Sequence, residues 1–576
     1  MHKKIILLYA AFLFLHGYLS EAVSSDPFDI VINELMVRPS PQIGLPDAEY
    51  IELFNRSANP VNLQNWTIKT GNRSKILPGH VMMPESYLLV THEKNADLLS
   101  TFGNVAGLPG FSVLAMGGQT VVLKDDKDNV ISAVSYSDKW YGSSLKASGG
   151  WSLEQIDPFN PCGSSGNWSA SESSTGGTPG APNSIRRNNP DKEPPALVRA
   201  SLQQAGLVRL HFSEPMHPQS GWSPGDYAAA GYGPPLSAMP AEPLFEEVDL
   251  LFPQLFEEGT DYTLVIKGNL YDCAGNFLDG NTSEVLFKIP ESPKTGDIII
   301  NEILFNPFPG GANFVELINI SGSVFDLKQV ILAGMTEGVP DPAYIIAPGG
   351  YLLFPDEYIV LTTDAEAVKS HYYSPKPWSF VNMDRMPPMN NKNGRVIIAG
   401  LQMNIIDDMQ YTSDMHSPLL TNVKGVSLER INFSRPASDR TNWLSASENS
   451  GFATPGYKNS QFSEFTGTTE KILSIDPKIF SPDNSGYNDI VNIKYELDKP
   501  GYTGNITIFD SRGRPVRRLV RNELLGTSGI YSWDGRNDAG HQSRLGIYLV
   551  FMELLHPDGD IRRSGETVVL GGRFRK

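Results

Sequence analysis

Cysteine is scarce in this chain of 576 residues, which holds just two, Cys162 and Cys273. Neither sits in a C-x-x-C spacing, so no zinc or redox motif is written here. Oxidising surroundings would allow one disulfide, but the two residues fall in different expected domains and two free thiols fit equally well. Charge is sparse as well, at 19% Asp, Glu, Lys and Arg, yet 40% of residues are hydrophobic, which excludes a disordered chain. Long helical periodicity is missing, and no internal run is apolar enough to span a bilayer as a helix. The phosphate-cradling G-x-x-x-x-G-K-[ST], the G-x-S-x-G elbow and the H-E-x-x-H helix are missing too, which lowers the odds of an enzyme without excluding one. The formal net charge of −17 speaks against gripping a nucleic-acid backbone.

What is abundant is punctuation. The 53 Gly and 43 Pro break the chain into short β-rich runs, as an all-β protein of several domains requires. At the start, Lys3 and Lys4 precede an apolar run over residues 5–15, and small residues Ser20 and Ala22 follow. That order predicts a secretory signal peptide over residues 1–22, cleaved after Ala22. The run is short for an uncleaved anchor, which must cross ~30 Å of hydrocarbon.

The chain then repeats itself. Ile30-Val31-Ile32-Asn33-Glu34 and Glu52-Leu53-Phe54-Asn55 return as Ile298-Ile299-Ile300-Asn301-Glu302 and Glu316-Leu317-Ile318-Asn319. Ser152-Leu153-Glu154, Asn167-Trp168 and Thr178-Pro179-Gly180 return as Ser427-Leu428-Glu429, Asn442-Trp443 and Thr454-Pro455-Gly456. Such an ordered series defines a duplicated module. Within the first copy, Val121-Val122-Leu123 and Val130-Ile131-Ser132 flank turn residues and predict a hairpin.

These motifs resemble the lamin-tail domain in its bacterial form, over residues 23–187 and again over 296–460. The resemblance implies immunoglobulin-like sandwiches used for binding or attachment, with no chemistry of their own. Between the copies, residues 190–291 carry Phe212-Ser213-Glu214-Pro215-Met216 and Asp272-Cys273-Ala274-Gly275-Asn276, and resemble a bacterial surface-layer-type Ig-like domain. Residues 470–576 carry Tyr531-Ser532-Trp533-Asp534-Gly535 and Gly546-Ile547-Tyr548, and resemble the Ig-like domain of flagellar hook-capping (FlgD-like) proteins. Similar domains end many exported proteins of Bacteroidetes-type bacteria, where they address the chain to type IX secretion. The expected architecture is therefore a multidomain chain of immunoglobulin-like β-sandwich modules, strung as beads.

Four features are candidates for chemistry. The duplicated Asn33, Glu34, Glu52 and Asn55, with Asn301, Glu302, Glu316 and Asn319, could pair carboxylates for a cation or for acid–base work. The plainer reading has each Glu receiving backbone N–H groups. His80 and His92, by contrast, have no histidine counterpart in copy two. Asp483, Asn484, Ser485, Asn488 and Asp489 alternate oxygen donors around Gly486, a speculative calcium loop, and Asp125-Asp126-Lys127-Asp128 is a weaker one. The basic run Arg512, Arg514, Arg517, Arg518 and Arg521 suits either an anionic polysaccharide or a solvated strand face. Trp66, Trp168, Trp443 and Trp533 read as core residues.

The reading that follows is an exported surface or secreted scaffold without a catalytic centre or obligatory cofactor. Its expected partners are a protein, a surface polysaccharide, or the secretion machinery through the C-terminal domain. The rivals are a hydrolase sited at Glu34 and Glu52 or at His80, and a plain spacer or adhesin.

Overall fold

The computed structural model describes residues 25–111, 114–161, 165–335, 338–464, 471–483 and 487–572. The chain forms two compact units, Met1–Phe287 and Lys288–Lys576. Strands dominate both; among the described residues the α-helices are short pieces at Ala96–Leu99, Ser144–Ala147 and Ala365–His371. Among the described residues no helix is long and apolar enough to cross a membrane.

The duplicated series folds twice into one topology. In the first copy a six-stranded sheet runs Trp168–Ala170, Leu153–Gln155, Ile30–Met36, Tyr50–Asn55, Tyr87–His92, Val105–Leu108. In the second the order is Trp443–Ser445, Leu428–Arg430, Ile298–Leu304, Phe314–Asn319, Tyr358–Thr362, Phe380–Asn382. The last pair is parallel in both copies and every other pair is antiparallel. A four-stranded sheet faces each, and the expected hairpin is there, with Gly118–Lys124 paired to Val130–Ser137.

One irregularity positions everything that follows. The opening strand bulges between Ile32 and Glu34, and its counterpart between Ile300 and Glu302. Strand side chains alternate between faces, so one extra residue reverses the alternation beyond it. Ile30, Ile32 and Leu35 therefore all enter the sandwich core, whereas Met36 joins a second cluster on the opposite face with Tyr50, Leu89 and Leu99. Copy two repeats this, with Ile298, Ile300 and Ile303 in the core and Leu304, Phe314 and Val360 opposite. The bulge residues are Asn33 and Asn301.

Residues 190–291 form a four-stranded sheet (Leu197–Gln204, Leu207–Phe212, Glu247–Leu251, Ser237–Pro240) and a three-stranded one. The C-terminal domain sets three strands against five, ending in the long hairpin Gly546–Leu555 and Ile561–Leu570. In Gly546–Leu555 burial alternates residue by residue, the period-2 signature of a strand with one face in water.

Within each unit the two modules are packed together, not strung. In the first, Phe245 joins Val122 and Val130 in one cluster, and Lys124 Nζ lies 2.8 Å from Glu242 Oε2. Cys273 is disulfide-bonded and packs against Phe28, Val31 and Phe54. Cys162, the other cysteine of the sequence, lies outside the described residues. In the second unit the Thr527 N–H donates to Ser460 O (2.8 Å), the Gln461 amide donates to Leu525 O (3.1 Å), and the Gly501 N–H donates to Gln461 Oε1 (3.2 Å). Residues 460–464, between the second copy and the C-terminal domain, are the joint.

Candidate functional site: a row of three buried carboxylates in each module

The bulge sends Glu34 to the face away from the core, and Glu52 and Glu154 lie opposite it on the neighbouring strands. Copy two aligns Glu429, Glu302 and Glu316 in the same way. All six are completely buried. Like charges directly opposite one another across strands repel, and burying them costs several kcal/mol more unless donors or protons compensate.

The donors come from the end of the module. In copy one the Thr178 N–H donates to Glu34 Oε1 (2.9 Å), as does the Tyr50 hydroxyl (2.7 Å). The Gly180 N–H donates to Glu52 Oε2, and Asn33 Nδ2 donates to Glu52 Oε1 (2.8 Å). The Ser184 hydroxyl and Ile185 N–H serve Glu154 Oε2. Asn183 closes the ring: it accepts from Asn33 Nδ2 and donates to the Asn33 and Gln155 carbonyls. In copy two Thr454, Gly456, Asn301, Ser460, Gln461 and Asn459 make the same bonds.

The Thr-Pro-Gly motif follows from this geometry. Gly180 and Gly456 have φ of +77° and +87°, and a Cβ on Gly180 would stand 1.9 Å from Phe102 O. Glycine is the residue that can turn there and still aim its N–H at a carboxylate.

Hydroxyl hydrogens are scarcer here than the oxygens around them. A threonine hydroxyl carries one hydrogen. Thr454 Oγ1 is 3.0 Å from Glu302 Oε2 and 2.8 Å from Glu429 Oε1, so the two carboxylates compete for that hydrogen, and a proton on either one lets the hydroxyl accept there. Thr178 Oγ1 bridges Glu34 (3.4 Å) and Glu154 (3.0 Å) alike. Burial first, and then the Glu429 charge, push Glu302 up to about 8; burial and then Glu154 push Glu34 up to about 7. Glu52 and Glu316 are raised well above the usual range by burial and then by Glu34 and Glu302. The row is thus a proton-holding latch on the tail, closed to solvent.

Glu34, Glu52, Glu302 and Glu316 come together with the bulge residues Asn33 and Asn301. Asn55 and Asn319 stand apart, each bonding a following turn through its Nδ2. Glu154, Glu429, Asn183 and Asn459 were not among the residues singled out from the sequence. Their signal was there, in the repeated S-L-E and in Thr-Pro-Gly followed three residues after its Gly by Asn in both copies. His80 is part-buried and its carbonyl accepts from the Leu63 N–H, remote from the carboxylates in the hydrogen-bond network.

Asn484 and Ser485 of the calcium loop lie outside the described residues; beside them Asp489 Oδ1 accepts from the Asp483 N–H, and Asn488 has φ +52°. In the weaker loop Asp125 receives the Lys127 and Asn129 N–H groups and the Asn129 amide, which closes the hairpin turn. Asp272 receives Ala274, Asn276 and the Asn276 amide identically. Its neighbours Asp191 and Glu214 complete a cluster with oxygens within 4.8 Å, where burial and then Asp191 push Glu214 up to about 8.

One chain of groups has the order of nucleophile, base and orienting acid. Ser201 Oγ lies 2.8 Å from His211 Nε2, and His211 Nδ1 lies 2.9 Å from Glu247 Oε1. Ser201 is fully buried, and Glu247 is shared with Arg209 at 2.8 Å, so the trio ties three neighbouring strands by their polar face. Trp66, Trp168, Trp443 and Trp533 are all buried. An apolar cavity of ≈ 90 Å³ beside Phe28, Trp140, Met216 and Phe245 is well below the ~300 Å³ at which small-molecule sites begin.

Residues 24–138 match the model of the Lamin Tail Domain family. The Lamin Tail Domain match covers the opening strand and the hairpin but stops before Glu154 and the Thr-Pro-Gly tail. No curated protein matches the chain. Among solved structures it is similar to the S-layer protein rSbsC, at 10% identity over 66% of this chain, with a TM-score of 0.16. It spans 55% of that chain. It is also similar to a tetra-tandem repeat from the extending region of a large adhesion protein (12% identity, 94% of this chain and 99% of that one, TM-score 0.13). A third is a Ca²⁺-stabilised adhesin described as helping an Antarctic bacterium bind ice (9% identity, 96% and 99%, TM-score 0.12).

Proposed function

We propose that the chain is an exported scaffold of the cell surface, whose modules hold or present a partner and carry no catalytic centre of their own. The observation that carries this reading is the fate of the duplicated carboxylates. All six are turned inward and bonded to the module's own tail, where no substrate reaches them. In this reading the second copy is also a lamin-tail domain, residues 190–291 are a surface-layer-type spacer, and residues 470–576 are a FlgD-like terminal domain. Residues 1–22 supply export as a signal peptide, and the C-terminal domain addresses the chain to type IX secretion. The partner is a surface polysaccharide or a protein; the charge of −17 disfavours nucleic acid.

Fractionation of the producing cells, with protease treatment of intact cells and the mass of the mature protein, tests this. The expected result is a protease-accessible protein lacking residues 1–22. A full-length chain confined to the cytoplasm would sink the reading.

A further inference from the structure

The C-terminal domain reverses the charge of the chain. Residues 510–548 carry seven arginines against four carboxylates, in a protein whose net charge is −17. Three of these arginines meet at one end of the five-stranded sheet. The turn after Thr503–Asp510, the loop after Ser528–Trp533 and the first residues of Gly546–Leu555 enclose a groove of ≈ 730 Å³. Arg512, Arg514 and Arg544 line it together with Asp510 and Asp538.

The two acids are already engaged. Asp510 Oδ1 receives the Arg512 and Arg514 N–H groups, and its Oδ2 receives the Arg514 guanidinium. Asp538 Oδ1 receives the Arg518 N–H, and its other oxygen faces Arg521 at 3.9 Å. Both carboxylates therefore shape the turns they sit in. Among the described residues Arg512 and Arg544 make no ion pair, and both are exposed. Two guanidinium forks beside a polar groove suit bidentate anions.

We propose that this groove binds an anionic polysaccharide, gripping its carboxylate or sulfate groups with Arg512 and Arg544. The proposal deepens the surface reading by naming the partner class, and rests on it only for where the glycan comes from. The groove's lining residues include no Phe or Trp and a single Tyr, Tyr548, whose hydroxyl donates to Arg544 O; stacked bases thus find no platform, which favours a sugar chain over single-stranded nucleic acid.

The full chain is passed over immobilised polygalacturonate, dextran sulfate, unmodified dextran and single-stranded DNA. Retention on the two charged glycans, weakening with salt, is expected, with none on dextran and weaker retention on DNA. Arg512→Ala with Arg544→Ala should cost about tenfold or more in affinity, the scale of a lost charged hydrogen bond. Lys69→Ala with Lys94→Ala, the same charge change on exposed sites of the first module, should cost little. A thermal melt confirms that the arginine variant stays folded. The proposal falls if the wild type ignores both charged glycans, if the two double variants weaken binding equally, or if DNA binds at least as tightly. Glycan binding by a protein that never leaves the cytoplasm would keep this inference and sink the surface reading; a surface protein that ignores glycans would do the reverse.

Discussion

The two copies of the duplicated module make one backbone by different means. At the bulge, the N–H of Ile32 donates to the Ser132 hydroxyl in copy one. In copy two the Ile300 N–H donates to Asp407 Oδ2 (2.9 Å), which is held 2.7 Å from buried Arg430. Gln155 stands where Arg430 does, and Tyr50 stands where Phe314 does. The serine at the equivalent place in both copies, Ser152 or Ser427, serves Glu34 or Glu302, and the Tyr50 hydroxyl is an additional donor to Glu34 that Phe314 cannot supply in copy two. What both copies keep is the Glu row, the Asn pair and the Thr and Gly donors. The demand comes from the backbone, and neutral or charged side chains can meet it at the bulge; the carboxylate row is the part without a substitute.

The comparison breaks most sharply at Arg430. Arg430→Ala leaves part-buried Asp407 without its cation and should cost about 3 kcal/mol. Gln155→Ala in copy one should cost about 1 kcal/mol. Calorimetry of the full chain reads both, and equal losses would contradict the contrast. Converting the pair to the copy-one residues, Asp407→Ser with Arg430→Gln, should restore most of the stability, because replacing both partners avoids a lone buried charge.

A second test uses pH. Glu34 and Glu302 have folded pKa values above their unfolded ones, so the folded protein binds more protons than the unfolded chain. Their contribution is fully present below about pH 4.5 and is lost as pH rises through about 7 for Glu34 and about 8 for Glu302. The acidic groups acting on the rows are Glu52, Glu154 and Tyr50 in copy one, and Glu316 and Glu429 in copy two, where Tyr372 and Tyr457 also feel the row's charge. Denaturant melts should show copy one losing stability at lower pH than copy two, and Glu34→Gln and Glu302→Gln should flatten the respective slopes. Stability that rises across that window would contradict a held proton. An effect as small as that of Gln155→Ala, about 1 kcal/mol, is expected of Tyr50→Phe, which makes copy one resemble copy two.

Much of this was legible in the residues. The alternating runs, the Gly and Pro punctuation and the repeated motifs foretold the all-β class and the duplication. The pairing of Glu34 with Glu52 was visible because both recur. Glu154 recurs too, but nothing local says that it lies opposite Glu34, since register across distant strands is a property of the folded sheet. The bulge was hidden for the same reason: Asn33 in an apolar run looks like a flaw in alternation until its side chain is seen bonding Glu52. The packed joints inside each unit escaped because Ser460 and Gln461 are polar residues that any linker could hold, and their partners are backbone atoms of a distant segment.

The tail latch also dictates an order of events. Thr178 lies 144 residues beyond Glu34, and Thr454 lies 152 beyond Glu302. As the chain emerges from a ribosome, three carboxylates wait in water until the last residues of the module arrive, and only then can the row be sealed. Such late, distant closure is a non-local contact of the kind that slows folding. It also sets where the module may be cut: a fragment ending at residue 138, where the family match ends, would lack the strand that carries Glu154 and every donor of the tail.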